Sequence, residues 1–130
     1  MFSTFKMIMD AMDRTLVVDD ELDICLMVTK HLQKMQFETD YALTVKDARS
    51  KVGTSSYDFI FLDLNLTDGS GFDLMQYMKE LNLSSKIIVI SAHDNESTRA
   101  LAMGAHLFVN KPFTMRTINE ALKTLNFLPN

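Results

Sequence analysis

The sequence Tyr57-Asp58-Phe59-Ile60-Phe61-Leu62-Asp63 decides the fold class of this 130-residue chain. It contains an apolar run of four residues that is followed immediately by the carboxylate of Asp63. An uninterrupted apolar run is typical of a β-strand that helices cover on both faces. Such a strand has no room for an ionised group inside the sheet, so Asp63 is predicted to lie where the strand leaves it. Ligands of open α/β sheets bind at that edge. The alternative is that Asp63 only begins a turn.

The rest of the chain repeats the order of a short strand followed by a helix; the strands are apolar runs except residues 37–42, which alternate and are predicted to form an edge strand. Strands are predicted at residues 14–18, 37–42, 57–63, 86–90 and 106–110, each with a helix after it. The five repeats predict an α/β fold, a doubly wound parallel sheet between two helical layers (three-layer αβα). Because the crossovers are right-handed, the C-terminal ends of all strands are expected at one edge.

The helices are predicted from the spacing of their apolar residues and from residues that begin or end helices. Leu22, Cys25 and Leu26 follow helical spacing in the first helix, where Cys25 is expected to be a small core residue. Thr44 is predicted to cap the second helix, and Gly53 begins the stretch expected to end it. The fourth helix is predicted over residues 95–103.

Composition excludes several functional classes. The net charge is −4 and the basic residues form no cluster, so no direct contact with nucleic acid is expected. The apolar runs are far shorter than the roughly 20 residues that span a bilayer, so no membrane segment is expected. One cysteine and the lack of a recognisable signal peptide favour a cytoplasmic location. We interpret residues 1–13 as an N-terminal extension and residues 14–128 as one domain.

Polar side chains follow four of the predicted strands and should therefore meet at one edge of the sheet. Asp19 and Asp20 follow the first strand, Asp63 ends the third, Ser91 ends the fourth and Lys111 follows the fifth. Clustered carboxylates repel one another, and Mg²⁺ relieves that repulsion. A lysine and a hydroxyl beside the ion complete a site for a phosphoryl group, with Asp63 as the nucleophile. Alternatively, the aspartate pair caps a helix and the lysine forms a surface ion pair.

These motifs resemble those of the receiver domain of two-component response regulators. The resemblance covers about residues 15–125 and rests on Leu16-Val17-Val18-Asp19-Asp20-Glu21, Asp63-Leu64-Asn65-Leu66 with Asp68-Gly69-Ser70-Gly71, Ser91-Ala92 and Lys111-Pro112-Phe113. It implies a flavodoxin-like (βα)5 fold with strand order 2-1-3-4-5. It also implies that Asp63 accepts the phosphoryl group and contributes to binding Mg²⁺.

The resemblance implies roles for the other matching residues. Asp20 corresponds to the direct metal ligand, Asp19 to a ligand acting through water, and Asn65 to the residue whose backbone carbonyl binds the metal.

Three further positions correspond to the phosphate contacts and the conformational switch of the family. Lys111 stands at the phosphate-binding lysine, Ser91 at the switch hydroxyl and Phe108 at the switch aromatic residue. Two residues depart from the family pattern. Thr67 replaces a usual proline, so the loop after the acceptor has more freedom. Phe108 lacks a hydroxyl group, so its switching must work by packing alone.

The function implied is Mg²⁺-dependent transfer of a phosphoryl group to Asp63 from a sensor histidine kinase or a histidine phosphotransfer protein. The response is expected in residues 96–103, 108–109 and 115–122, which would engage a downstream protein or a linked output domain, or form a phosphorylation-dependent dimer. No turnover beyond self-dephosphorylation is expected. Two alternatives are an interaction module that phosphorylation does not regulate and a phosphohydrolase with Asp63 as nucleophile. The hydrolase would need a second carboxylate where Asn65 stands.

Overall fold

The structure, a computed structural model, describes residues 12–129 and contains a central five-stranded sheet flanked by helices. The strands are β1 (Arg14–Val18), β2 (Glu38–Ala42), β3 (Phe59–Asp63), β4 (Lys86–Ser91) and β5 (Leu107–Asn110). The helices are α1 (Leu22–Lys34), α2 (Val45–Thr54), α3 (Gly71–Glu80), α4 (Ser97–Ala102) and α5 (Met115–Thr124). Most of the predicted N-terminal extension, residues 1–11, lies outside the described residues.

All neighbouring strands of the central sheet are parallel, in the order β2-β1-β3-β4-β5. The predicted flavodoxin-like sheet with strand order 2-1-3-4-5 is therefore confirmed, with β3 at its centre. The register pairs Asp63 with Ile90 of β4, and Ser91 with Asn110 of β5. A hairpin of two-residue strands, Asn65–Leu66 and Gly69–Ser70, lies between β3 and α3 outside this sheet.

Strand β3 is buried along its whole length and contributes to both hydrophobic clusters of the core. Ile60 and Leu62 belong to the cluster that includes residues of α2, α3 and α4, whereas Phe59 and Phe61 pack with α1 and α5. This arrangement forms the three αβα layers. Burying an apolar side chain of this size contributes about 1.5–3 kcal/mol, so β3 is a firm support for the residue at its end.

The fourth helix is shorter than the sequence predicts. A 3₁₀ turn over Asp94–Glu96 precedes α4, which has six residues and ends before Gly104. Gly104 adopts a φ of +109°, a conformation that glycine allows at the end of a helix. Ala100 is the buried residue of α4, so little apolar burial supports this segment.

Helix α2 runs to Thr54 and ends at Ser55, whose backbone is extended, inside the stretch beginning at Gly53 that the sequence predicts to end it. One further detail differs from the sequence predictions. Leu22 and Leu26 of α1 are 44% and 47% exposed, so the buried face of α1 is narrower than their spacing indicates. The cap at Thr44 is confirmed, because its side chain accepts a hydrogen bond from the Asp47 backbone N–H. Cys25 is confirmed as a core residue.

Candidate functional site

A lysine ammonium group joins two buried carboxylates at the C-terminal edge of the sheet. The Lys111 Nζ lies 3.0 Å from Asp19 Oδ2 and 3.2 Å from Asp63 Oδ2. Asp19 and Asp63 are only 2% and 4% exposed. Glu21 Oε2 lies farther from the ammonium group, at 3.6 Å. The ends of β1, β3 and β5 thus bring together three residues that the sequence predicts at one site.

The pKa values of this site reflect a competition between burial and pairing. Burial raises the pKa of Asp63, although the hydrogen bond from the Asn65 backbone N–H to Oδ1 and the Lys111 charge act against it. Burial also raises the pKa of Asp19. For Lys111, burial disfavours the charge, but the carboxylates of Asp19 and Asp63 outweigh it and raise its pKa. One ammonium group is thus shared between two buried carboxylates.

The acidic run after β1 provides a suitable set of ligands for a hard cation. Asp19, Asp20 and Glu21 each offer a carboxylate oxygen, and these oxygens lie within 4.8 Å of one another. Such oxygen ligands suit Mg²⁺, and a divalent cation would relieve the excess negative charge. The donor set therefore fits the predicted ion. Glu21 was not among the predicted ligands; its place directly after Asp20 is the sequence signal that could have identified it.

Asp20 also has a contact that depends on the unusual residue Thr67. The Thr67 Oγ1 donates a hydrogen bond of 3.2 Å to Asp20 Oδ2. A proline, which the family has at this position, cannot make that contact because it has no hydroxyl group. The Thr67 side chain therefore links the loop after β3 to the acidic run Asp19-Asp20-Glu21.

The chain after Asp63 is packed so closely that one position admits only glycine. The Gly71 backbone N–H donates to the Leu64 carbonyl at 2.9 Å. A Cβ atom at Gly71 would lie 2.5 Å from the Asp63 carbonyl oxygen and 2.9 Å from Leu64 Cα. Because both neighbours are backbone atoms, they cannot rotate away. The first residue of α3 thus fixes the backbone that carries the Asp63 carboxylate.

Ser91 is fully buried and its hydroxyl group is held by its own loop. Its Oγ donates to Glu96 Oε1 at 2.7 Å and accepts from the His93 backbone N–H at 3.0 Å. Glu96 Oε1 also accepts from Asn65 Nδ2 at 3.2 Å. Within residues 12–129, the hydrogen bonds of this hydroxyl go to Glu96 and His93 and not to Asp63. The sequence placed Glu96 in the face expected to respond, but did not identify it as the partner of Ser91 and Asn65.

Phe108 of β5 is half-buried and packs against the core cluster that includes Ala100 of α4. An aromatic side chain in this position contacts the layer that contains α4 while its strand borders the site. The structure therefore brings the predicted switch residues Ser91 and Phe108 to adjacent strands.

The fold and the site together define a class: an α/β domain that presents an acidic pocket, a lysine and a hydroxyl group at the end of its central strands. The sequence pattern described as the response regulator receiver domain matches residues 15–123. The chain therefore belongs to the response regulator receiver domain family, a family of two-component signalling domains.

Two curated relatives agree with this assignment. The chain is 34% identical over 113 residues to the response regulator protein PilR of Pseudomonas aeruginosa, and 32% identical over 115 residues to the sensory transduction protein LytR of Staphylococcus haemolyticus. The matches cover 85% and 84% of this chain but only 25% and 43% of those proteins. The chain thus spans less than half the length of these relatives.

Solved structures of receiver domains have the same fold. A CheY-like receiver domain protein from Methanospirillum hungatei aligns with a TM-score of 0.83 and 24% identity, over 88% of this chain and 94% of that one. The response regulator TrrA of Thermotoga maritima, solved in complex with Mg²⁺ and BeF, aligns with a TM-score of 0.79 and 29% identity, over 88% and 99% of the two chains.

Among residues 12–129, no helix is long and apolar enough to cross a membrane.

Proposed function

We propose that residues 14–128 form a receiver domain that accepts a phosphoryl group on Asp63, with residues 1–13 as an N-terminal extension. The donor is the phosphohistidine of a sensor histidine kinase or of a histidine phosphotransfer protein. The observation that carries this proposal is the Lys111 ammonium group, which contacts the buried carboxylates of Asp19 and Asp63 together. The ammonium group therefore lies where it can neutralise the negative charge of an incoming phosphoryl group.

The transfer is an in-line displacement at phosphorus. An oxygen of Asp63 forms the new P–O bond while the P–N bond of the donor breaks and its electron pair stays on the imidazole nitrogen. Asp63 is held for this attack by the Asn65 backbone N–H at Oδ1 and by Lys111 at Oδ2. Lys111 then hydrogen-bonds the transferred group. Positioning and charge neutralisation supply most of the catalysis in such reactions.

Mg²⁺ is the proposed cofactor, held by Asp19, Asp20, Asp63 and the backbone carbonyl of Asn65, as the resemblance implies. The clustered carboxylates of Asp19, Asp20 and Glu21 support the first two of these ligands and add Glu21 beside them. When bound, the ion neutralises negative charge on the carboxylates and the phosphoryl oxygens. The Asp19 and Asp63 carboxylates, whose pKa values burial raises, gain most from that neutralisation.

Phosphorylation changes the contacts available at the site and thereby shifts the population of two conformations. The phosphoryl oxygens offer acceptors to Lys111 and Ser91 that the free carboxylate lacks. Ser91 and Phe108 transmit this change to a face built from α4, β5 and α5. That face binds a downstream protein or an output domain in a longer chain, or pairs with a second phosphorylated copy.

The phosphodonor must approach from the side on which the site opens, and α1 offers an apolar surface there. Leu22, Leu26 and Met27 are exposed on α1. A cavity of about 400 Å³ is lined by Met27 of α1 together with Lys111 and Phe113, so this side of α1 borders the site. We propose that the phosphodonor contacts this side of α1. The proposed setting is cytoplasmic, without direct contact to nucleic acid or membrane.

Intact mass measurement tests the proposal. The chain is incubated with Mg²⁺ and acetyl phosphate, and we expect a gain of one phosphoryl group. The Asp63→Asn variant should show no gain, whereas Asp73→Asn, which alters an exposed carboxylate on α3, should match the wild type. No gain in the wild type, or a gain that survives Asp63→Asn, would contradict the proposal and favour an unregulated interaction module.

A phosphohydrolase is the other candidate function, and a steady-state assay separates the two. Asn65, two residues after Asp63, has no carboxylate to act as an acid or base. We therefore expect no turnover of phosphomonoesters beyond slow self-dephosphorylation. Multiple turnovers that depend on Asp63 would favour the hydrolase.

A further inference from the structure

The carboxylate of Glu96 connects the two loops that flank Asp63. Its Oε1 accepts hydrogen bonds from Ser91 Oγ at 2.7 Å and from Asn65 Nδ2 at 3.2 Å. Ser91 ends β4, and Asn65 lies two residues after Asp63 at the end of β3. We call this pair of hydrogen bonds the Glu96 bridge. It links side chains on both sides of the proposed acceptor.

The Ser91 hydroxyl group cannot serve Glu96 and a phosphoryl group at the same time. A serine hydroxyl has one proton to donate. That proton goes to Glu96 Oε1 at 2.7 Å, because a carboxylate oxygen accepts and does not donate, while the Oγ itself accepts from the His93 backbone N–H at 3.0 Å. Ser91 is fully buried, so water does not offer a substitute partner from bulk solvent. Any hydrogen bond from Ser91 to a phosphoryl oxygen therefore requires that the bond to Glu96 break.

Charge acts in the same direction as this exclusion. A phosphoryl group carries a charge of about −1.5 to −2 at neutral pH, whereas Glu96 brings a further carboxylate towards the same hydroxyl group. The Asn65 side-chain amide has two N–H donors and can keep its bond to Glu96, so the exclusion acts through Ser91.

Helix α4 is well placed to respond when Glu96 is released. Glu96 directly precedes α4 and provides no side-chain hydrogen bond to its first turn. Ala100 is the buried residue of this helix, and the Arg99 guanidinium lies 3.9 Å from the centre of the Phe72 ring. Because few apolar contacts hold α4, a displacement of Glu96 moves the start of the helix at low cost.

We propose that Glu96 is a positioning residue for phosphoryl capture: it withholds the Ser91 hydroxyl group in the resting chain, and its release couples phosphorylation to α4. This inference rests on the proposed function of Asp63. It implies that the wild-type chain breaks the hydrogen bond between Ser91 and Glu96 whenever Ser91 binds a phosphoryl group. A variant without the Glu96 carboxylate does not have to break this hydrogen bond, so it should bind the phosphoryl group with higher affinity.

Titration with beryllofluoride and Mg²⁺, a probe that stands for the phosphoryl group, tests this prediction. Loss of one charge-assisted hydrogen bond predicts about tenfold tighter binding by Glu96→Ala. Glu96→Gln should bind with intermediate affinity, because its neutral amide oxygen accepts more weakly. The matched control is Asp94→Asn, which removes the same charge from an exposed position in the same turn. Its affinity should stay within about twofold of the wild type.

A double-mutant comparison separates positioning from a general structural effect. In a Ser91→Ala background, Glu96→Ala should tighten binding only about threefold, because the bond between the two residues is already absent. The same tenfold effect in both backgrounds would contradict an action through Ser91. Thermal unfolding of each variant verifies that it is folded.

The outcomes for the inference and for the proposed function are distinct. Absence of beryllofluoride binding by the wild type overturns the proposed function and the release of Glu96 with it. Binding that is equal or weaker in Glu96→Ala overturns the inference while the proposed function stands. Without beryllofluoride, the side-chain amide resonances of Asn65 should shift in Glu96→Ala, and unchanged resonances would contradict the bridge itself.

Discussion

The segments that run from β3 into α3 and from β4 into α4 carry out the same task in different ways. Each begins with a buried strand, presents a functional side chain at its end and continues into a helix. After Asp63, backbone packing against Gly71 fixes the chain, and α3 buries five of its residues. After Ser91, the hydroxyl group is held by the Glu96 side chain, and the six-residue α4 has Ala100 as its buried residue.

This difference separates a fixed acceptor from an adjustable reporter. Backbone atoms packed at close range have no alternative arrangement of similar energy, so the backbone that carries Asp63, the proposed acceptor, is fixed. A side-chain hydrogen bond can be exchanged for another, so Ser91 can change partners if the proposed phosphorylation alters the charge at Asp63. The contrast teaches that the rigidity of the site is not uniform: it is concentrated around Asp63.

Substitution of Gly71 by alanine should have the largest effect, because it disturbs the backbone packing that fixes the segment after Asp63. The new Cβ would overlap the Asp63 carbonyl oxygen and Leu64 Cα, so the start of α3 must move. We expect a loss of about 2 kcal/mol in the free energy of unfolding, measured by chemical denaturation, together with weaker beryllofluoride binding.

Gly53→Ala is the matched control for this substitution. Its Cβ would meet the Tyr77 hydroxyl oxygen at 3.4 Å, an ordinary contact, and alanine favours a helix over glycine by about 0.5–1 kcal/mol. The control should therefore be as stable as the wild type or slightly more so. Equal stability of Gly71→Ala and the wild type would show that the backbone after Asp63 is not fixed by this packing.

A smaller effect is expected from Asp68, which attaches the loop after Asp63 to the start of α2. Its carboxylate accepts hydrogen bonds from the backbone N–H groups of Val45 at 2.8 Å and Lys46 at 3.1 Å. The bond from Val45, and then that from Lys46, lowers the pKa of Asp68. Because the folded-state pKa lies below the unfolded value, the stabilisation is present above that value and is lost as the pH falls through the folded pKa. Asp68→Ala should therefore lower the melting temperature at pH 7.

The pH dependence distinguishes this contact from an uncharged cap on the same helix. The difference in melting temperature between Asp68→Ala and the wild type should narrow as the pH falls below about 4. Thr44→Ala removes a cap on α2 that has no titratable group, so its effect should not depend on pH. A pH-independent effect of Asp68→Ala would contradict the role of its charge.

Much of the fold could be predicted because the inner strands of the sheet contain uninterrupted apolar runs. The run from Phe59 to Leu62 predicted a buried central strand, and the common edge of a parallel sheet predicted that Asp63 and Lys111 would meet. The strand order came from the resemblance to a family and not from the apolar pattern. Leu22 was misjudged because the width of a helix's buried face depends on the neighbouring elements.

The missed parts of the site share a physical cause. Glu96 lies in a short polar turn with no periodicity, and its partner Asn65 is 31 residues away. Gly71 belongs to a stretch of turn-forming residues, and sequence alone does not tell a glycine that permits a turn from one that permits close packing. Contacts of this kind depend on the packed structure, so they appear only when the elements are assembled.

Hydrogen exchange measured with and without beryllofluoride and Mg²⁺ tests the contrast between the two segments most directly. If Asp63 is a fixed acceptor and Ser91 reports through Glu96, the amide exchange rates of α4 (Ser97–Ala102) should change while those within α3 (Gly71–Glu80) stay the same. The Asp63→Asn variant should show neither change. Equal changes in both helices, or an unchanged α4 together with an altered α3, would contradict the account.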